Sequence, residues 1–198
     1  MHTRNIVIVA LTGFAALALP ARADTTIKSE DASIELTVPN GWRQTKAVSP
    51  AVQLQATDGR AIILIRVVPK EDYRDLKSFA DVGSTKVLKS LTDAEPKFED
   101  IQVNGNPAIR VSAEGTQSNG LRRGFIMTFI DTNGMFVDVI GIANASAFKT
   151  EQQTMMDMAG RVKVVAAGGT APTAQTPTAP AAATPPPGRQ PPPARQPR

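Results

Sequence analysis

At 198 residues, with 22 basic and 18 acidic side chains, the chain carries a formal charge of +4, one histidine (His2) and no cysteine. Once the segment holding His2 is removed, that inventory excludes a catalytic thiol, a Ser-His-Asp triad, a histidine general base, zinc, haem or iron–sulfur ligation, and a disulfide framework. Without Arg4, Arg22, Arg189, Arg195 and Arg198 near its ends, the chain holds 17 basic and 18 acidic residues, so it lacks the concentrated basic face with which a nucleic-acid binder displaces counterions.

Residues 1–23 read as a cleavable signal peptide. Arg4 gives a positive start, Ile6 to Leu19 form an apolar run, and Pro20-Ala21-Arg22-Ala23 offers a helix break followed by a small-x-small cleavage site. The fourteen apolar residues fall short of the ~20 that cross a bilayer as a helix. No cysteine follows them to carry a lipid. The expectation is export, with Asp24 as the first mature residue, to the periplasm or beyond the cell, and no transmembrane insertion after cleavage.

Residues 24–166 suit one domain with a single core. Ser33 to Val38 alternates as a strand and stops at the Pro39-Asn40-Gly41 turn, which presents Trp42. Val52, Leu54 and Ala56 alternate before an Asp58-Gly59 hairpin signal. Ala61 to Val68 is apolar on both parities and reads as a strand covered on both sides. Leu76, Phe79, Ala80, Gly83, Val87 and Leu91 share one face of a predicted helix, with Asp72 or Asp75 to cap it. Four strands follow, at Lys97–Val103, Pro107–Glu114, Leu121–Asp131 and Met135–Ala143. They are separated by Asn104-Gly105, Ser118-Asn119-Gly120 and Asn133-Gly134, so they are expected to be consecutive and antiparallel. A second helix is expected from Ser146 to Val162, its apolar stripe of Phe148, Met155, Ala159 and Val162 interrupted by Gln152. The order βββαββββα describes an α+β fold, an antiparallel sheet of about six or seven strands flanked by two main helices.

Residues 167–198 hold ten of the sixteen prolines, three arginines and no acidic or aromatic residue. This composition predicts a disordered, Pro/Ala-rich cationic tail with polyproline II bias. Such a tail solubilises the domain or, alternatively, tethers it to an acidic surface or the cell wall.

The remaining chemistry rests on carboxylates, lysines and hydroxyls. Glu71, Asp72 and Asp75 cluster at a helix start, where capping explains them, and Glu95, Glu99 and Asp100 sit near the next strand; neither group has calcium-loop spacing. Ser84-Thr85-Lys86 is not the Ser-x-x-Lys of a serine–lysine hydrolase. No cofactor and no metal site are expected. The candidate binding residues are Trp42, as an interface anchor or a core plug, and Arg122-Arg123, as a solvated strand end or an anion contact. Met156 and Met158 join them because three close methionines cannot all face inward from one helix. Arg110 completes the set, joining Glu114, Arg122, Thr128 and Asp138 in a polar patch if their strands align.

The stretch Ser33-Ile34-Glu35-Leu36-Thr37-Val38-Pro39-Asn40-Gly41-Trp42 resembles the opening strand and P-x-G-W turn of the PsbP-like superfamily. Asn104-Gly105-Asn106-Pro107-Ala108 is similar to the x-G-x-P-A hairpin of its second half. The resemblance spans most of residues 30–165. It implies an αβα sandwich that acts as an accessory or binding module without a shared catalytic centre. Histidine-dependent metal binding known in that superfamily does not carry over, because this domain has no histidine. The expected function is an exported, non-catalytic accessory or binding module of the bacterial envelope, whose partner is an envelope protein or the cell-wall surface. The alternatives are a carboxylate-dependent hydrolase and a structural spacer whose tail contacts the wall.

Overall fold

The computed structural model describes residues 23–165; the expected signal peptide and proline-rich tail lie outside the described residues. Strands β1 (Thr25–Lys28), β2 (Ile34–Val38), β3 (Arg43–Gln44), β4 (Leu54–Thr57) and β5 (Ala61–Pro69) precede helix α1 (Leu76–Leu88). After it come β6 (Leu91–Thr92), β7 (Lys97–Val103), β8 (Asn106–Gln117), β9 (Arg122–Asp131) and β10 (Met135–Asn144), then helix α2 (Ala145–Gly160) and β11 (Val162–Val164).

The three long hairpin strands β8, β9 and β10 are consecutive and antiparallel, as their Asn-Gly separators predict. Asn104 adopts φ +52° and Gly134 φ +88°, backbone conformations that asparagine and glycine tolerate better than branched residues. An eight-stranded main sheet runs β3-β4-β5-β10-β9-β8, with β6 and β7 both lying along the far side of β8. The strand containing Ile34, Leu36 and Val38 lies outside that sheet. It forms a second, three-stranded sheet with β1 and β11, in the order β1-β2-β11.

Two expectations shift at helix ends. Leu91 leaves the helical face and pairs with Gln117 in β6, because α1 stops at Leu88. Val162 likewise leaves the second helix, which ends at Gly160, and starts β11 opposite Leu36. The start of α1 follows the sequence more closely. Asp75 accepts the Ser78 backbone N–H at 2.7 Å, while Ser78 Oγ accepts the Asp75 N–H at 3.0 Å. This reciprocal capping box satisfies two helix-end donors. Asp75→Ala is therefore expected to lower unfolding free energy by about 1 kcal/mol in urea titration, with Asp75→Ser nearly neutral.

The main sheet separates two cores. Directly paired residues share a face, so Ala61, Ile63 and Ile65 of β5 align with Val139, Gly141 and Ala143 of β10 on the face that α2 and β2 cover. The opposite face carries Val111, Phe125, Met127, Phe129 and Phe136 beneath α1, where Phe79 stacks on Phe136 and meets Phe129 and Tyr73 edge-on. Two glycines admit their helices closely: the Phe148 ring lies against the Cα of Gly124, and a Cβ at Gly83 would fall 2.5 Å from Phe129 Cε1. β5 was expected to be covered on both faces. Its second face is open: Ile62 and Leu64 stay partly exposed and belong to neither core, because α1 lies on β8, β9 and β10.

Candidate functional site

The structure scatters the residues singled out by sequence. Trp42 is only 9 % exposed and joins the core under α2, so it plugs the domain and presents no interface anchor. Its backbone N–H closes the Pro39 turn, and Gly41 supplies the φ of +93° that turns the indole inward. Met158 is fully buried, and Met156 is partly buried against the same core. The buried side of α2 is wide enough to hold both because β2 packs against the helix in addition to the main sheet.

The arginines also separate. Arg122 and Arg123 are adjacent on β9 and so project to opposite faces. Arg122 donates to Asp93 Oδ2 at 2.8 Å, and Asp93 also accepts the Thr116 N–H. That contact pins β6 to the sheet. Arg110 pairs across from Thr128, which is buried, and neither Arg110 Nε nor Thr128 Oγ1 has a partner among the described residues. The expected polar patch does not form: Arg110, Glu114, Arg122 and Thr128 share the α2 side, whereas Asp138 aligns with Phe129 on the α1 side.

Two buried carboxylates now carry the strongest electrostatics. Asp138, 1 % exposed, accepts from Arg66 Nε at 2.9 Å and from Arg66 Nη2 across the β5–β10 pairing. Burial pushes its carboxyl above the ordinary aspartate range, against the opposing pull of Arg66. Glu151, on the inner side of α2, pairs with Arg60 at 2.9 Å, and the same guanidinium reaches Asp58. Arg60 thus ties the β4–β5 hairpin to the helix. Periodicity pointed to Gln152 as the polar interruption of this helix, yet Glu151 is the buried one, and no local signal marks its distant partner. The two acids lie on opposite faces of the main sheet and each is neutralised by its own arginine. They do not form the facing pair, ~5 to 10 Å apart, on which carboxylate hydrolysis of glycosides depends.

Two surfaces gather most of the remaining candidate binding residues. The first is a cleft of about 580 Å³ between the β1–β2 turn and the loop from Thr45 to Gln53. Glu30, Asp31 and Lys46 stand at its mouth, Val48, Pro50 and Val52 form an apolar wall, and Gln44, Gln53 and Gln55 line it. Asp31 is held below the usual carboxylate range by the Ser29 hydroxyl, then by the Ser33 side chain and backbone N–H. Gln53 acts as a substitute strand, its Oε1 accepting the Val67 N–H and its Nε2 donating to the Val67 carbonyl. Gln55 fastens the loop by accepting the Val48 N–H and donating to Thr45.

The second is the open part of the main sheet, between α1 on one side and the Gln55-anchored loop on the other. Ile62 lies opposite Ile142, and Leu64 opposite Ile140; Arg66 and Asp138 close one end of this floor. Arg43, paired across from Thr57, shares the Ile62 row, and Arg123, paired across from Asn144, occupies the next row. Arg123 Nε is buried without an acceptor, and neither Arg43 nor Arg123 has an ion-pair partner among the described residues.

No protein-family model and no curated protein matches this chain. Solved structures do share its architecture. The solution structure of cyanobacterial PsbP (CyanoP) from Synechocystis is 14% identical with a TM-score of 0.55, the match covering 78% of this chain and 99% of that one. LpqN, involved in cell envelope biogenesis of Mycobacterium tuberculosis, is also 14% identical, with a TM-score of 0.51 and coverage of 71% and 90%. The fold is therefore PsbP-like, in agreement with the resemblance at residues 33–42 and 104–108.

Proposed function

We propose that this chain is an exported, non-catalytic accessory module of the bacterial cell envelope that works by binding. The observation that carries the reading is the neutralisation of both deeply buried carboxylates, Asp138 by Arg66 and Glu151 by Arg60, on opposite sides of the sheet. A hydrolase built from carboxylates needs at least one of them free and facing another. Here they hold strands and helix together, while the cleft beside the β1–β2 turn is lined mainly by aliphatic and amide side chains, and its two carboxylates, Glu30 and Asp31, are neighbours on one turn, with the Asp31 carboxylate tied up by Ser29 and Ser33.

The envelope assignment draws on the signal-peptide pattern of residues 1–23 and on the shared fold of LpqN, whose own role is in envelope biogenesis. Among the described residues no helix is long and apolar enough to cross a membrane, which accords with a module that reaches its partner from solution. The test is expression of the full chain in a Gram-negative host, with fractionation and N-terminal sequencing. Material starting at Asp24 in the periplasmic or culture fraction is the expected result; cytoplasmic protein that retains Met1 overturns it. Crosslinking in intact cells should reproducibly capture one envelope component, and its absence across growth conditions would count against a binding role.

A further inference from the structure

We propose that the open floor of the main sheet, between α1 and the loop after β3, is a docking trough for an acidic, aliphatic segment of a partner protein. The floor is apolar where Ile62, Leu64, Ile140 and Ile142 meet, and Ile62 and Leu64 contribute to neither core of the domain. Arg43 and Arg123 flank it without carboxylate partners among the described residues. Arg43 is exposed and Arg123 partly exposed, so the charge that their guanidinium groups bring to the rim is open to carboxylates of a docking segment.

Dimensions and charge select the occupant. On this face β5 is uncovered and β10 lies at the foot of α1; strands lie ~5 Å apart, so the floor is about 10 Å wide, and α1 rises about 10 Å beside it. That channel admits one polypeptide segment and shuts out a bilayer surface. From Asp138 to Asn144 the floor runs about 20 Å at the rise of an antiparallel strand, the length of some six extended residues. A second copy of this chain is disfavoured, because a twofold contact through this face would set Arg43 and Arg123 against their own counterparts. The inference concerns this surface and not the compartment, so binding can fail while export holds, and the reverse.

The experiment is methyl NMR on the full chain, labelled at isoleucine and leucine. The probe is a nine-residue peptide with three valines at alternate positions between glutamate pairs; controls are its lysine counterpart and vesicles of anionic phospholipid. The expected result is a selective shift of the Ile62, Leu64, Ile140 and Ile142 methyls with the glutamate peptide, weakened by salt. Arg123→Gln should weaken that binding about tenfold, the size of one charge-assisted contact. Exposed Arg43→Gln gives a second reading should Arg123→Gln disturb folding. Equal response to the lysine peptide, shifts confined to residues of the Thr45–Gln53 cleft, a response to vesicles alone, or no response to the glutamate peptide would each overturn the proposal.

Discussion

Replacing Arg66 with methionine is expected to destabilise the domain by about 3 to 5 kcal/mol at neutral pH, because it strands the Asp138 carboxylate in a site that is 1 % exposed. The double variant Arg66→Met/Asp138→Leu should recover most of that loss: with both charges gone, the position becomes a continuation of the Ile140 and Phe136 surface. The sign of the pH response is also determined. Burial raises the Asp138 pKa above its ordinary value of 3.8, so between those two values the folded state holds a proton that the unfolded state releases. Stability from this group therefore falls as pH rises through that window and returns on acidification. Removing the opposing Arg66 extends the window upward, so the deficit of Arg66→Met should shrink between pH 7 and pH 4. In the background, Asp31, Asp75, Asp93, Glu35 and Glu99 have lowered values and lose their stabilising contribution over the same descent, in variant and wild type alike. Urea unfolding at several pH values measures both effects. A deficit below 1 kcal/mol at pH 7, or one that grows as pH falls, would refute this account of the pair.

Gly124→Val should be about as damaging, on the order of 3 kcal/mol, for a steric reason. The Phe148 ring occupies the space where any Cβ at position 124 would stand, and Phe148 is itself nearly fully buried on α2. A branched side chain forces the helix off the sheet or the ring out of its rotamer, and closely packed interiors yield little to either. Phe148→Ala alone costs ~3 to 5 kcal/mol as a cavity. Combined with Gly124→Val, the total should fall well short of the sum, since the valine fills space the ring has left. Gly141→Ala should also destabilise. Its added Cβ would lie 2.8 Å from both Met155 Cβ and Sδ; the thioether can rotate away, but Cβ moves only with the α2 backbone, so the helix must shift there too. A melting curve for Gly124→Val that overlays the wild type would show that α2 does not rest on this contact.

The legible parts of the fold were those with local causes. Asn104-Gly105 and Asn133-Gly134 impose tight reversals, so the antiparallel order of β7 to β10 is legible in the chain, whereas the register that sets Asp138 on the other face from Arg110 and Thr128 is not. The start of α1 is legible to within one turn by the same logic: of the two caps the sequence offers, Asp72 and Asp75, the structure uses Asp75 and adds Ser78 as its reciprocal partner. Less legible were Thr25–Lys28 and Val162–Val164. Each is too short to show a period, and each is a strand only because Ile34–Val38 lies between them. The candidate site was least visible. Trp42 and Met158 are apolar, and an apolar side chain after a turn or on a helix reads equally as surface anchor or core, depending on what another segment lays over it.

By itself, then, the amino-acid order determined the chemical repertoire of residues 24–166, without a thiol or an imidazole, together with the α+β element types and the hairpin connections, because inventory, periodicity and turn preference all act within a few residues. Only the tertiary structure decided that Asp138 meets Arg66 across 72 positions of chain and that Glu151 meets Arg60. It alone left Ile62 and Leu64 uncovered beside Arg43 and Arg123, which form no ion pair among the described residues. Those outcomes depend on which strand lies beside which and how far a helix reaches across the sheet, and such long-range pairings are settled by burial of the whole chain at once, not by any stretch of it.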